Sequence, residues 1–257
     1  MPAETAARIR SLVSRCDLAV VDLDQCLVPR FTQTRLGRKL LAGAFRGTSP
    51  ALRAHLPRLI GGAGFIVATR LRRPWKGKPG NRELMEAFIR VLAGLPLEEV
   101  EAAASGLPGR SGPWRSALGR LEMPVFLLTA SIEPVARAYG SVAGPTGPIF
   151  SGWKGTPLRV RRGLVADADW EECLLEPADK KRWLEARMAA GGYRRPLIIG
   201  HGRDEEAMAA LAARAGGGSI AVKRWGSDPS GFGIVLGTGA WRALARALGG
   251  GEPPREP

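Results

Sequence analysis

An apolar run that stops at two acidic residues constrains this chain more than any other stretch. Ala19-Val20-Val21-Asp22-Leu23-Asp24 reads as a buried strand delivering carboxylates to its C-terminal edge, where open α/β sheets place their sites. With one residue between them, Asp22 and Asp24 point to the same side. Carboxylates so paired can hold a hard cation, or divide the work of nucleophile and proton carrier, when their surroundings separate their pKa values. A strand end that merely caps the next turn is the bland alternative, and the order of motifs downstream decides between them.

Two further apolar runs end in polar residues. Met123-Pro124-Val125-Phe126-Leu127-Leu128 leads to Thr129, Ala130 and Ser131; Ser131 is placed to cap a helix starting near Ile132, whose N-terminus favours anions. Pro196-Leu197-Ile198-Ile199 leads to Gly200-His201-Gly202-Arg203-Asp204-Glu205. Before that run, Asp179 suits the N-cap of a helix reaching about Ala190, with Lys180 and Lys181 in its first turn. Elsewhere the periodicity predicts helices over Glu4–Cys16, Glu205–Ala215 and Ala240–Leu248 and a strand over Ser219–Lys223. Gly140–Val165 reads as a hairpin or peripheral strands with a turn at Arg162-Gly163. The cluster Asp167, Asp169, Glu171 and Glu172 reads as a solvated loop, since no oxygen-ligand loop spacing fits it.

Between the first two runs the chain is basic and helical. From Arg30 to Arg82 there are thirteen Lys or Arg and no Asp or Glu, and the region extended to Arg120 carries +12 of the chain's +14. Such a region attracts phosphates, nucleic acid or anionic lipid head groups; a solvated face in an arginine-rich protein is the plain reading. Leu36, Leu40, Leu41, Ala44 and Phe45 suit a helix, and further helices are expected over Asn81–Ala93, Leu97–Ser105 and Pro113–Leu121, with Gly94 as a C-cap. Leu59–Leu71 is apolar but interrupted by three glycines, and reads either as a buried helix or turn or as a segment lying on a membrane surface. Pro74–Gly80 reads as an exposed basic loop. His55 reads as a surface or packing residue.

In this order the motifs resemble those of the haloacid dehalogenase (HAD) superfamily, and a helical segment directly after the first motif is similar to the cap of its phosphoserine-phosphatase-like branch. The resemblance implies an α/β, Rossmann-like core with a parallel sheet over residues 1–29 and 122–257, a helical cap inserted at 30–121, and a flexible tail at 249–257. It implies a hydrolase that cleaves phosphomonoesters of small anionic substrates through an aspartyl-phosphate on Asp22, with Asp24 carrying protons. Thr129 and Lys180 would hold the transferring group's charge, with Lys181 as the other candidate lysine, and Ser131, Lys181 and His201 would face the substrate. Mg2+, or Mn2+, would be bound by Asp22, the backbone carbonyl of Asp24, and Glu205 or Asp204.

The last motif departs from the family's Gly-Asp-Gly-x-Asn-Asp: His201 stands in place of the first aspartate and Glu205 in place of the last. Magnesium prefers oxygen ligands, so an imidazole is a poor substitute. Three outcomes are open: carboxylates hold the metal while His201 does acid-base or substrate work; a softer ion such as manganese is used; or the fold is kept for binding. In that last case the basic insertion would dock on nucleic acid or an anionic membrane.

Composition bounds the setting. A hydrophobic content of 45% with 24% charged residues is that of a soluble globular chain. Cys16, Cys26 and Cys173 form neither an even disulfide set nor a metal spacing and fit a reducing cytosol. The first residues show no signal-peptide pattern and no apolar run approaches a bilayer span, so a cytoplasmic protein, peripheral at a membrane surface through its basic segment, is expected. Trp75, Trp153, Trp225 and Trp241 sit near basic residues, but no nucleic-acid motif accompanies them.

Overall fold

The computed structural model describes residues 2–29, 31–71, 81–109, 112–144, 147–223 and 229–249. Arg30, the loop Pro74–Gly80, Trp225 and the tail beyond Gly249 lie outside the described residues. Among the described residues no helix is long and apolar enough to cross a membrane.

The sheet is built from β1 (Leu18–Asp22), β2 (Val125–Ile132), β5 (Gly152–Thr156), β8 (Pro196–Gly200), β9 (Gly218–Val222) and β10 (Ile234–Leu236). Its spatial order is β10-β9-β8-β1-β2-β5 and every pairing in it is parallel. β1 and β8 are buried at every residue, as a parallel sheet covered on both faces requires. β1 lies between β2 and β8, with Asp22 level with Leu128 and Val21 level with Ile199. The C-terminal ends that carry Asp22, Thr129 and His201 are therefore neighbours.

Strand parity decides which helix each residue meets. Ala19, Val21, Leu127, Leu197 and Ile199 face the larger core, while Leu18, Val20, Phe126, Leu128 and Ile198 face the other. On that second face lie α8 (Pro177–Gly191), through Leu184, and α9 (Glu206–Arg214), through Met208 and Ala212. Asp22 shares the parity of Leu18 and Val20, so its carboxylate emerges under α8.

On the larger core pack α1 (Ala3–Ser14), through Ile9 and Leu12, and α10 (Ala240–Ala247), through Trp241 and Leu244. The sequence between β1 and β2 holds α2 (Thr32–Arg46), α3 (Pro50–Leu71), α4 (Asn81–Leu92), α5 (Leu97–Ser105) and α6 (Pro113–Leu118). α2 ends at Gly47, whose φ of +66° forms a left-handed cap that donates to Ala44. The glycines of Leu59–Leu71 do not interrupt the chain there: α3 runs continuously through them and through Pro57. One of them is a contact requirement, because a Cβ on Gly62 would lie 2.3 Å from Val91 of α4. His55 Nε2 lies 3.0 Å from the carbonyl of Ala93, a packing role at the end of α4.

α7 (Glu133–Gly140) follows β2. Next come the short antiparallel pair β3 (Ala143–Gly144) and β4 (Gly147–Pro148), then the hairpin of β6 (Leu158–Arg161) and β7 (Leu164–Ala168). The hairpin turn is the expected Arg162-Gly163, both at positive φ. Within the acidic cluster Asp169 pairs with Arg159 and Glu172 with Lys154, which leaves surface ion pairs rather than a metal site. Two helix starts differ from expectation. Glu176, not Asp179, is the N-cap of α8; Asp179 sits at N3 and accepts from the Glu176 N–H. Ile132, not Ser131, precedes α7, without a side-chain cap.

Candidate active site

Asp22 ends β1 with only 5% of its surface exposed. Burying a carboxylate requires a partner, and Lys180 supplies it: its Nζ donates to Asp22 Oδ1 at 3.1 Å and to Glu205 Oε1 at 2.5 Å. Helical periodicity selects this lysine, since Lys180 and Leu184 are the buried residues of α8, four apart on one face. Lys181 lies on the outer side, paired with Glu185, so a substrate role for it is corrected by one step of helix rotation.

Glu205 is fully buried at the end of the 3₁₀ turn Arg203–Glu205 and folds back over the end of β8. Its Oε2 accepts from the backbone N–H groups of His201 and Gly202. Gly200 makes room for it: a Cβ there would meet Glu205 Cγ at 2.7 Å. His201 Nδ1 lies 3.2 Å from Asp22 Oδ2 and 3.5 Å from Glu205 Oε2. Despite that proximity, neither Nδ1 nor Asp22 Oδ2 has a hydrogen-bond partner.

The charges move one another's titration. For Asp22, burial would raise the pKa, but the Lys180 ammonium and His201 outweigh it and hold the carboxyl below its usual range. Burial would lower Lys180, yet the carboxylates of Asp22, Glu205 and Asp204 keep it charged, with its pKa raised. His201 follows the same logic: burial opposes its protonation, and Asp22 with Glu205 raises its pKa. Glu205 is raised by burial and by the neighbouring Asp22 charge.

Asp24 occupies a different setting. The turn after β1 passes through Gln25 at a φ of +60°, an uncommon conformation for a residue with a side chain. Thr32, the first residue of α2, holds the carboxylate: its N–H donates to Oδ1 at 2.6 Å and its hydroxyl to Oδ2 at 3.2 Å. Burial nevertheless pushes the Asp24 carboxyl up to about 7, with Asp22 adding to the rise against the Thr32 bonds. Two adjacent carboxylates are thus driven apart in pKa, which separates an ionised group from a proton carrier.

Behind Thr32 stands Ser131, whose Oγ lies 2.9 Å from the Thr32 hydroxyl. Fully buried, it steadies Thr32 from behind instead of facing a ligand, a correction to its expected role. Thr129, also buried, accepts from the Ser131 N–H at 3.1 Å and lines the cavity described next.

In front of these groups is a cavity of about 120 Å³, bounded by Asp22, Asp24, Thr129, Lys180, His201 and Asp204 on the sheet side. Asn81 at the start of α4 donates to Asp204 Oδ2 at 3.3 Å and to the carbonyl of Leu175 at 3.1 Å, tying α4 to the end of β8. Neither Asn81 nor Thr32 was identified from the sequence. Their partners lie far along the chain or across a turn, although Asn81 is the chain's single asparagine.

Asp22, His201 and Glu205 place one ligand atom each within 4.8 Å of one another. Asp22 Oδ2 and His201 Nδ1 are buried and face each other at 3.2 Å without a hydrogen bond of good geometry; with the imidazole neutral, a divalent cation would take the place of the proton between them, so these residues fit one. Of the two alternatives Glu205 and Asp204, Glu205 belongs to this trio and Asp204 stands outside it, its carboxylate accepting from Asn81; the Asp24 carboxylate is engaged by Thr32, and its expected contribution is the backbone carbonyl. One imidazole with two carboxylates is also a different donor set from the all-oxygen cage magnesium favours.

No family model and no curated protein matches the chain. Solved structures do. A phospho-aspartyl intermediate analogue of phosphoserine phosphatase matches with a TM-score of 0.59 at 17% identity, over 86% of this chain and 93% of that one. A HAD family hydrolase from Salmonella enterica serovar Typhi matches with a TM-score of 0.59 at 13% identity, over 92% and 77%. Cytosolic 5'-nucleotidase IIIB bound to cytidine matches with a TM-score of 0.57 at 16% identity, over 96% and 90%. At such identities the likeness is one of fold: the chain has the HAD fold of the phosphoserine-phosphatase-like kind.

Proposed function

We propose that the protein is a phosphomonoester hydrolase working through an aspartyl-phosphate on Asp22, with residues 30–121 acting as a cap over the core. The observation that carries this reading is the buried Asp22, kept ionised by Lys180, on the floor of one cavity with Asp24 and Thr129. An ionised carboxylate beside a carboxyl that titrates near neutrality is the pair such chemistry needs.

Asp22 attacks phosphorus, and the ester oxygen leaves with a proton from Asp24. In the second half, Asp24 accepts a proton from water as its oxygen attacks phosphorus, which releases phosphate and frees Asp22. Thr129 and Lys180 face the charge that gathers on the transferring oxygens. Thr32, backed by Ser131, fixes Asp24. A divalent cation held by Asp22, His201 and Glu205 would add positive charge against the phosphoryl oxygens, and this donor set suits Mn2+ better than Mg2+.

Hydrolysis of a panel of phosphomonoesters with Mn2+ or Mg2+ tests the reading. Metal-dependent turnover that falls on the order of 10⁴-fold in Asp22→Asn supports it; wild-type turnover equal to that of Asp22→Asn removes it.

A second reading concerns the basic segment and has its own observation. Phe45 is 66% and Ile60 49% exposed, and Arg46, Arg53 and Arg58 in the same two helices are exposed as well. Large apolar groups among cations suit an anionic membrane surface. Cosedimentation with phosphatidylglycerol vesicles that weakens with salt supports this, and equal binding to neutral vesicles contradicts it.

A further inference from the structure

The cavity has two chemically different walls. Every charged group that lines it, among the described residues, belongs to the floor: Asp22, Asp24, Lys180, His201 and Asp204. The opposite wall comes largely from the start of α2 and from α4. α4 contributes Asn81, Leu84, Met85 and Phe88, which at spacings of three and four lie on one helix face.

The charged residues of α4 point elsewhere. Arg82 pairs with Glu86 and lies over the Trp170 ring at 5.4 Å, and Arg90 reaches Glu86. Phe31 and Leu175 extend the apolar wall. The polar groups that the start of α2 and α4 bring to that side, Gln33, Thr34 and Asn81, are neutral, and two of them are partly committed: Asn81 to Leu175 and Asp204, and the Gln33 amide to the Met85 sulfur at 3.9 Å. Among the described residues, a leaving group bearing an ammonium and a carboxylate would meet no opposite charge on this wall, and a desolvated charge without a partner is rejected.

We infer that the site takes phosphomonoesters whose leaving group is uncharged and largely apolar, a compact alkyl or aryl alcohol rather than a hydroxy amino acid. The inference rests on the phosphomonoester reading above and deepens it. The phosphoryl group meets the charged floor, and the organic part lies against Leu84, Met85 and Phe88.

Binding of inert analogues separates this inference from catalysis. Calorimetric titration of the full chain, with Mn2+ present, compares benzylphosphonate with phosphonoalanine. The expected result is a preference for benzylphosphonate on the order of 100-fold. Equal or tighter binding of phosphonoalanine overturns the inference, as does failure of both to bind. In Leu84→Lys, at a half-buried position, phosphonoacetate should gain at least about tenfold over wild type; no gain contradicts Leu84 facing the ligand. Turnover divides the two claims. If benzylphosphonate binds as expected but no ester is hydrolysed, the hydrolase reading fails and the apolar wall stands. If phosphoserine is hydrolysed in preference to benzyl phosphate, hydrolysis stands and the apolar wall fails.

Discussion

The floor and the roof of the cavity solve opposite problems. The floor buries two carboxylates, Asp22 and Glu205, around one ammonium with a half-buried imidazole beside them, so each of these groups depends on a neighbour's charge. Among the described residues the roof presents no charge and relies on apolar side chains whose ionised neighbours on α4 face outward. On the proposed reading, the difference teaches that reactivity and selectivity are built from separate parts of the chain. The sheet edge supplies electrostatics that fail if one partner is lost, and α4 supplies surface that tolerates change.

The strongest challenge to that contrast is Lys180→Met. It leaves Asp22 and Glu205 buried side by side without the ammonium that pairs with both, and should cost about 3–5 kcal/mol of unfolding free energy in urea. A loss below about 1 kcal/mol would mean that the floor is not organised around Lys180. Asp24 gives the next largest effect. Its carboxyl titrates near 7, so the protonated form that donates to the leaving oxygen is present below that pH and declines above it. Hydrolysis of an alkyl ester should therefore fall toward tenfold per pH unit above about 7, while an aryl ester, whose oxygen leaves with less help, falls less. Equal pH profiles for both esters would deny Asp24 the role.

His201→Asp sharpens the view of the floor alone. Replacing the imidazole by a carboxylate restores an all-oxygen set, and the ion giving the larger thermal shift should change from Mn2+ to Mg2+; an unchanged preference would place the ion elsewhere. The smallest effect belongs to the outward face of α4. Arg82→Ala removes an exposed ion pair and a ring contact and should change stability by no more than about 1 kcal/mol, with kcat/KM unaltered.

The sequence showed the floor better than the roof, for a physical reason. β1, β2 and β8 are apolar runs with abrupt polar ends, so period and position mark Asp22, Asp24, Thr129 and the Gly200–Glu205 turn directly. The distance to Leu184 already favours Lys180 over Lys181 in the sequence, and in the fold Lys180 and Leu184 are the buried residues of α8. β5 was read only as peripheral because an edge strand pairs on one side, and Gly152-Trp153-Lys154-Gly155-Thr156 lacks an apolar run. The continuity of α3 was hidden by Pro57 and its glycines, which satisfy packing against α4 at Gly62 rather than a turn. Thr32 and Asn81 escaped notice because their value lies in partners that only folding supplies: Ser131 is 99 residues from Thr32, and Asp204 is 123 from Asn81.

The most direct measurement is capture of the phosphoenzyme. The protein is mixed with acetyl phosphate and Mn2+, quenched in acid and analysed by peptide mass spectrometry, with Asp22→Asn alongside. One phosphoryl group on the peptide containing Asp22, absent from the variant, is the predicted result. A phosphoryl group on another residue, or none at all while phosphate is released, would contradict an aspartyl-phosphate at Asp22.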